Sequence, residues 1–123
     1  MTRRAASARR VLVVDDNLDS ARSFAKMVEG IVGHEVEFAI NGYAALDLAK
    51  KLRPEIVFLD LMMPGVSGFE VAKRLKQEFG DAIRIIAVTA SGSEQDRAKS
   101  AKAGCELHLL KPVALDTIET LLA

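Results

Sequence analysis

Residues able to do chemistry stand at the ends of short apolar runs in this chain. Asp15 and Asp16 follow Val11 to Val14, Asp60 follows Glu55 to Leu59, Thr89 follows Ile83 to Val88, and Lys111-Pro112 follows Glu106 to Leu110. Three carboxylates brought together resist ionising at once unless a cation neutralises them, and an all-oxygen site of that kind suits Mg²⁺. Adding a phosphoryl group needs a carboxylate nucleophile, a cation for the transferring oxygens and donors for their remaining charge. Asp60, Mg²⁺, Thr89 and Lys111 match those parts by type. Taken singly each has a plainer reading: Asp15 and Asp16 as helix-capping acids, Asp60 as a turn acid, Thr89 as a β-former, Lys111 as a solvated residue before proline. Only their shared place at successive strand ends joins them.

The elements that must position them alternate regularly. Five short β-branched or apolar runs are each followed by a helical pattern, which predicts an α/β fold, (βα)5, with a doubly wound parallel five-stranded sheet. After the first run, Leu18, Ala21, Phe24, Ala25, Val28 and Ile31 recur at helical spacing, with Asp16 or Asn17 as N-cap. A second strand, Glu35 to Ala39, is bounded by Gly33 and Asn41-Gly42; Ala45, Leu48, Ala49 and Leu52 then line a helix that Pro54 stops. The third run is apolar on both faces, as a central parallel strand should be. Phe69, Ala72, Leu75 and Phe79 mark the third helix. The fourth, Glu94 to Ala103, offers only Ala98, Ala101 and Ala103 as apolar residues and should be the least firmly docked. Leu115, Ile118 and Leu122 mark the fifth. In such sheets a ligand sits outside the carboxyl ends of the strands, where strand order reverses.

Composition narrows the classes. The chain has 123 residues, 50% of them hydrophobic, with 17 basic residues balanced by 17 acidic. That fits one soluble globular domain burying roughly 65–70% of its unfolded surface, with no need of disulfides. The single Cys105 has no partner within the chain and favours a reducing compartment; it reads as a small buried hydrophobe. His34 reads as a solvated surface residue, and Met63 as packing. No apolar run approaches the roughly 20 residues of a membrane span. Arg3, Arg4 and Arg9, with no acid among them, make residues 1–9 a basic flexible tail ahead of a domain at 10–123. From Val11 onward 13 basic face 17 acidic residues, a net charge of −4, so no nucleic-acid footprint is expected.

The segments VLVVDDN, VFLDLMMPGVSGFE, AVTA and LHLLKP, in this order, resemble those of two-component response-regulator receiver domains over about Arg10 to Ala123. The resemblance implies a flavodoxin-like strand order 2-1-3-4-5. It makes Asp60 the phosphoacceptor and Asp15 with Asp16 the acidic pair that, with Asp60 and the Met62 backbone carbonyl, holds Mg²⁺. Lys111 would contact the phosphoryl group or, without it, the Asp60 carboxylate; Thr89 would move to bind a phosphoryl oxygen. Lys111-Pro112 would be a cis bond. His108 falls at the family's switch position, more often Tyr or Phe, where an aromatic ring turns inward as the threonine moves. The implied activity is a cytoplasmic phosphorylation-dependent switch, not a turnover enzyme. Its donor would be a phosphohistidine of a histidine kinase or histidine phosphotransfer protein, and its output the face made by the fourth helix, fifth strand and fifth helix. A homodimer through that face is open. Slow water attack would restore Asp60, tuned by Met62 and Ser91.

Three other classes compete. An unphosphorylated receiver-like interaction module would keep the fold but has no need of five intact site residues. An aspartate-nucleophile phosphatase uses a second acid two residues after the nucleophile, where Met62 stands. A flavin module wants a hydroxyl- and glycine-rich phosphate loop after the first strand, where DDNLDS offers acids.

Overall fold

The computed structural model describes residues 9–31 and 34–123. Residues 1–8, nearly all of the expected tail, and Gly33, expected to bound the second strand, lie outside the described residues. The elements follow in the order β1 (Arg10–Val14), α1 (Leu18–Glu29), β2 (Glu35–Ala39), α2 (Gly42–Leu52), β3 (Ile56–Leu59), α3 (Gly68–Phe79), β4 (Arg84–Thr89), α4 (Glu94–Ala103), β5 (Leu107–Leu110) and α5 (Leu115–Leu122), with one 3₁₀ turn at Gly80–Ala82. The five strands pair in parallel in the order β2-β1-β3-β4-β5. Strand bounds fall within a residue of those expected from the apolar runs.

Side chains alternate across the pleat, so the sheet divides the interior into two cores. Leu12, Val14, Val57, Leu59, Ile85 and Ala87 face α2 and α3. Val11, Val13, Ile56, Phe58, Ile86 and Val88 face α1 and α5, where the Phe24 and Phe58 ring centroids lie 4.9 Å apart. β1, β3 and β4 are covered on both sides, each large side chain contributing about 2 kcal/mol by burial.

Helix starts follow local chemistry. Asn17, not Asp16, caps α1, its side chain accepting from the Ser20 N–H; Asn41, Ser67 and Ser93 cap α2, α3 and α4 in the same way. α2 ends at Arg53 in the left-handed region, φ 50°, just before Pro54. α4 packs differently from its apolar pattern: Ala98 and Ala101 are exposed, and its one buried residue is Ser100. His34 also departs from expectation. It is half-buried, and burial, then the nearby Arg9 charge, holds its pKa below the usual imidazole range. Arg9, grouped with the tail by sequence, donates to the Leu122 and Ala123 carbonyls and pairs with Glu55. No helix among the described residues is long and apolar enough to cross a membrane.

Candidate functional site

Strand register carries the acids to one level. Val14 pairs with Leu59, so the next residues, Asp15 and Asp60, emerge side by side; the Asp60 N–H donates to the Val14 carbonyl at 2.9 Å. Both side chains point to the face that holds Val13, Phe58 and Val88. Each is 6–7% exposed, and each has one carboxylate oxygen on the backbone N–H two residues ahead: Asp15 Oδ1 on Asn17 at 3.0 Å, Asp60 Oδ1 on Met62 at 2.9 Å. Lys111 arrives from the end of β5, its N–H on the Thr89 carbonyl at 2.9 Å and its bond to Pro112 cis. Its Nζ donates to Asp15 Oδ2 at 2.8 Å and Asp60 Oδ2 at 3.1 Å. One lysine thus bridges two acids that start 45 residues apart along the chain.

Asp16 is exposed and completes the acidic group. One carboxylate oxygen from each of Asp15, Asp16 and Asp60 lies within 4.8 Å of the other two. Three carboxylates against one ammonium leave excess negative charge among hard oxygen donors, which is the donor set a small divalent cation takes. Burial pushes the Asp60 carboxyl above the usual carboxylate range, outweighing the Met62 N–H and Lys111, which pull it down; Asp15 adds to the rise. Burial opposes charge on Lys111, yet its bonds to Asp15 and Asp60 prevail and hold its pKa above the ordinary lysine range.

Thr89 stands apart from this group. Alternation places it on the opposite face, with Ala87 and His108; it is fully buried, and its hydroxyl accepts from the Ser91 N–H at 3.4 Å. No hydrogen bond joins its hydroxyl to Asp60 or Lys111 among the described residues. His108 is held at both ring nitrogens, Nε2 on the Ser91 carbonyl at 2.7 Å and Nδ1 on Ser100 Oγ at 3.0 Å. The Met62 side chain is exposed and Met63 is buried in the core.

Two features escaped the sequence reading. Gly68 begins α3 against the chain leaving β3: a Cβ there would overlap the Asp60 carbonyl oxygen and the Leu61 Cα. Its place at the end of the M-P-G-V-S-G loop was the available signal. Ser100 carried none, being one serine in a polar helix. Beside the acids a groove of about 410 Å³ opens between α1 and the β5–α5 turn, with Phe24, Met27 and Val113 on its walls and Asp60 and Lys111 at its end.

The comparisons agree with this architecture. The family model described as the response regulator receiver domain matches residues 11–123. The polar-differentiation response regulator DivK of Brucella anthropi is 37% identical over 115 residues, 90% of this chain and 91% of that protein. Response regulator MprA of a Mycobacterium is 38% identical over 109 residues, and there the match spans only 46% of the relative. Among solved structures, the Vibrio cholerae chemotaxis protein CheY4 superposes with a TM-score of 0.85 at 27% identity, over 94% of this chain and 97% of that one. A Burkholderia pseudomallei response regulator with a phosphorylated aspartic acid, calcium ion and citrate gives 0.84 at 30%, over 94% and 66%. The chain therefore belongs to the response-regulator receiver domains, phosphorylation-dependent switches of two-component systems that bind Mg²⁺ at an acidic pocket and take their phosphoryl group from histidine kinases or phosphotransfer proteins.

Proposed function

We propose that this receiver switches when Asp60 accepts a phosphoryl group from a phosphohistidine. The observation that carries the reading is the buried Asp60 carboxylate, fixed by the Met62 N–H and Lys111 beside a second buried acid. An Asp60 oxygen attacks phosphorus in line, the P–N bond breaks, and the imidazole leaves with the electron pair and takes up a proton. Asp15, Asp16, Asp60 and the Met62 carbonyl would hold Mg²⁺, which supplies neutralisation of the phosphoryl oxygens. Burial makes the ionised Asp60 oxygen a better nucleophile than a solvated carboxylate. Lys111 keeps its contact with Asp15 while following the new phosphoryl oxygens, and water attack at phosphorus later releases inorganic phosphate and restores Asp60.

The apolar groove ending at Asp60 suits docking of the phosphodonor, whose histidine must approach along it. Thr89 and His108 sit on the other side of the sheet, toward α4, and pass the change to the α4–β5–α5 face. That face exposes Leu107, Leu110 and Leu115 at 40%, 47% and 46%, apolar area for a downstream protein or a second copy. The residues ahead of Arg9 act as a basic tail, and the setting is cytoplasmic.

Intact-protein mass after incubation with Mg²⁺ and acetyl phosphate tests the chemistry. A gain of about 80 Da, one phosphoryl group, is expected, absent in Asp60→Asn and without Mg²⁺. No gain in the native protein, with beryllofluoride also failing to bind, overturns the reading in favour of an unphosphorylated interaction module.

A further inference from the structure

The inner side of α4 is anchored by a polar side chain where the other helices bury apolar ones. Its only buried residue is Ser100, 2% exposed, and that hydroxyl meets His108 Nδ1 and the Arg97 carbonyl, both at 3.0 Å. The opposite ring nitrogen meets the Ser91 carbonyl, and the Ser91 N–H is bound to Thr89 Oγ1. A continuous chain of hydrogen bonds thus runs Thr89, Ser91, His108, Ser100, from the end of β4 to the body of α4.

Counting protons fixes what the ring must do. A carbonyl only accepts, so Nε2 carries a proton toward Ser91. If the ring is neutral, Nδ1 can only accept, and the Ser100 hydroxyl must donate to it and give up the Arg97 carbonyl. If the ring is the imidazolium, Nδ1–H donates to Ser100 Oγ while the hydroxyl donates to Arg97. The doubly protonated ring therefore completes every bond in the chain, and the neutral ring leaves one unmade.

We propose that His108 is a protonation-sensitive positioning residue: as the imidazolium it ties α4, through Ser100, to the loop that follows Thr89, and on losing its Nδ1 proton it loosens α4. The role of this tether in signalling rests on the phosphorylation reading above. When Thr89 turns its hydroxyl toward a phosphoryl oxygen it releases the Ser91 N–H, and the tether slackens at its other end. Protonation and phosphorylation then pull α4 in opposite directions, and by linkage each weakens the other. The charges facing the ring come from α4: Asp96, bound to Ser91 Oγ, favours the imidazolium, and Arg97, donating to the His108 carbonyl, opposes it. On the neighbouring strands Arg84 and Glu106 are paired with each other, and the loop of residues 90–93 bears no charge.

Amide hydrogen exchange of the unphosphorylated protein, corrected for the intrinsic pH dependence, tests this. The opening equilibrium of residues 97–103 should be about fivefold smaller at acid than at alkaline pH across the imidazole range, the equivalent of about one hydrogen bond. Ser100→Ala and His108→Phe should each abolish that dependence, without adding in the double variant, while Ser100→Thr keeps it; amides of β1 and β3 report that the fold is intact. A pH-independent α4 in the native protein overturns the proposal, as does pH dependence surviving in Ser100→Ala. No phosphodonor is present, so failure here leaves the Asp60 mass gain standing, and failure of the mass gain leaves the α4 result standing.

Discussion

Gly68→Ala should damage the site more than the fold. The added Cβ overlaps the Asp60 carbonyl oxygen and the Leu61 Cα, both backbone, so no side chain can swing aside. Relief requires the start of α3 or the residues after β3 to move by about 1 Å. Overpacking of this kind costs about 2 kcal/mol. At about 4 °C per kcal/mol for a chain of this size, the midpoint of thermal unfolding should fall by about 8 °C. The same 1 Å falls on Asp60, and in the proposed reaction, where its carboxylate lines up with phosphorus, a misplacement of that size costs about 100-fold in rate. Initial rates of acyl-phosphate formation from acetyl phosphate, read by intact mass, measure the second effect. Gly65→Ala is the control: φ there is 76° and nothing lies within 4 Å of the new methyl, so only backbone strain of about 1 kcal/mol applies and the rate should not change. A Gly68→Ala protein that melts early yet phosphorylates at the native rate would show that this close approach does not position Asp60. A protein unchanged in both would refute the steric argument itself.

Other outcomes follow from burial. Because Asp60 titrates higher folded than unfolded, its ionisation weakens the fold as pH rises through the folded value; Asp60→Asn should melt a few degrees above the native protein at neutral pH, and the gain should vanish below about pH 4. Scanning calorimetry across that range checks the sign. The Cys105 thiol is pushed up to about 11, chiefly by burial, so a disulfide reagent at mildly alkaline pH should label it only as fast as the protein opens; rapid native labelling would contradict its placement. Ile86→Ala empties a fully buried position between α1 and α5 and should cost about 3 kcal/mol by urea denaturation.

Much of this was legible in the residues. Apolar runs ending in Asp15, Asp60, Thr89 and Lys111 located the strands to within a residue, because burial on both faces leaves a central strand little choice of composition. Partners across the sheet were not legible. That Lys111 bridges Asp15 and Asp60, or that Ser100 rather than Ala98 and Ala101 turns inward, depends on contacts between elements that sequence spacing does not encode. His34 misled for the same reason: it is half-buried, and the charges acting on it, Arg9 and Glu55, are distant in the chain. At α1 two acids and an asparagine competed for one cap; Asp15 is drawn to Lys111 and Asp16 to the open acidic group, which leaves Asn17.

The pleat that separates the two cores also separates the two tasks proposed for them. Asp15 and Asp60 lie on the face of Val88, while Thr89 and His108 lie on the face of Ala87, one residue earlier in the same strand. A single-residue insertion or deletion within β4 would exchange those faces, turning Val88 toward α4 and Thr89 toward the acids, with every side chain still the right kind. The length of β4 is therefore under as tight a constraint as its composition, and a domain of this kind should tolerate chemical drift in its strands far better than any change in their count of residues.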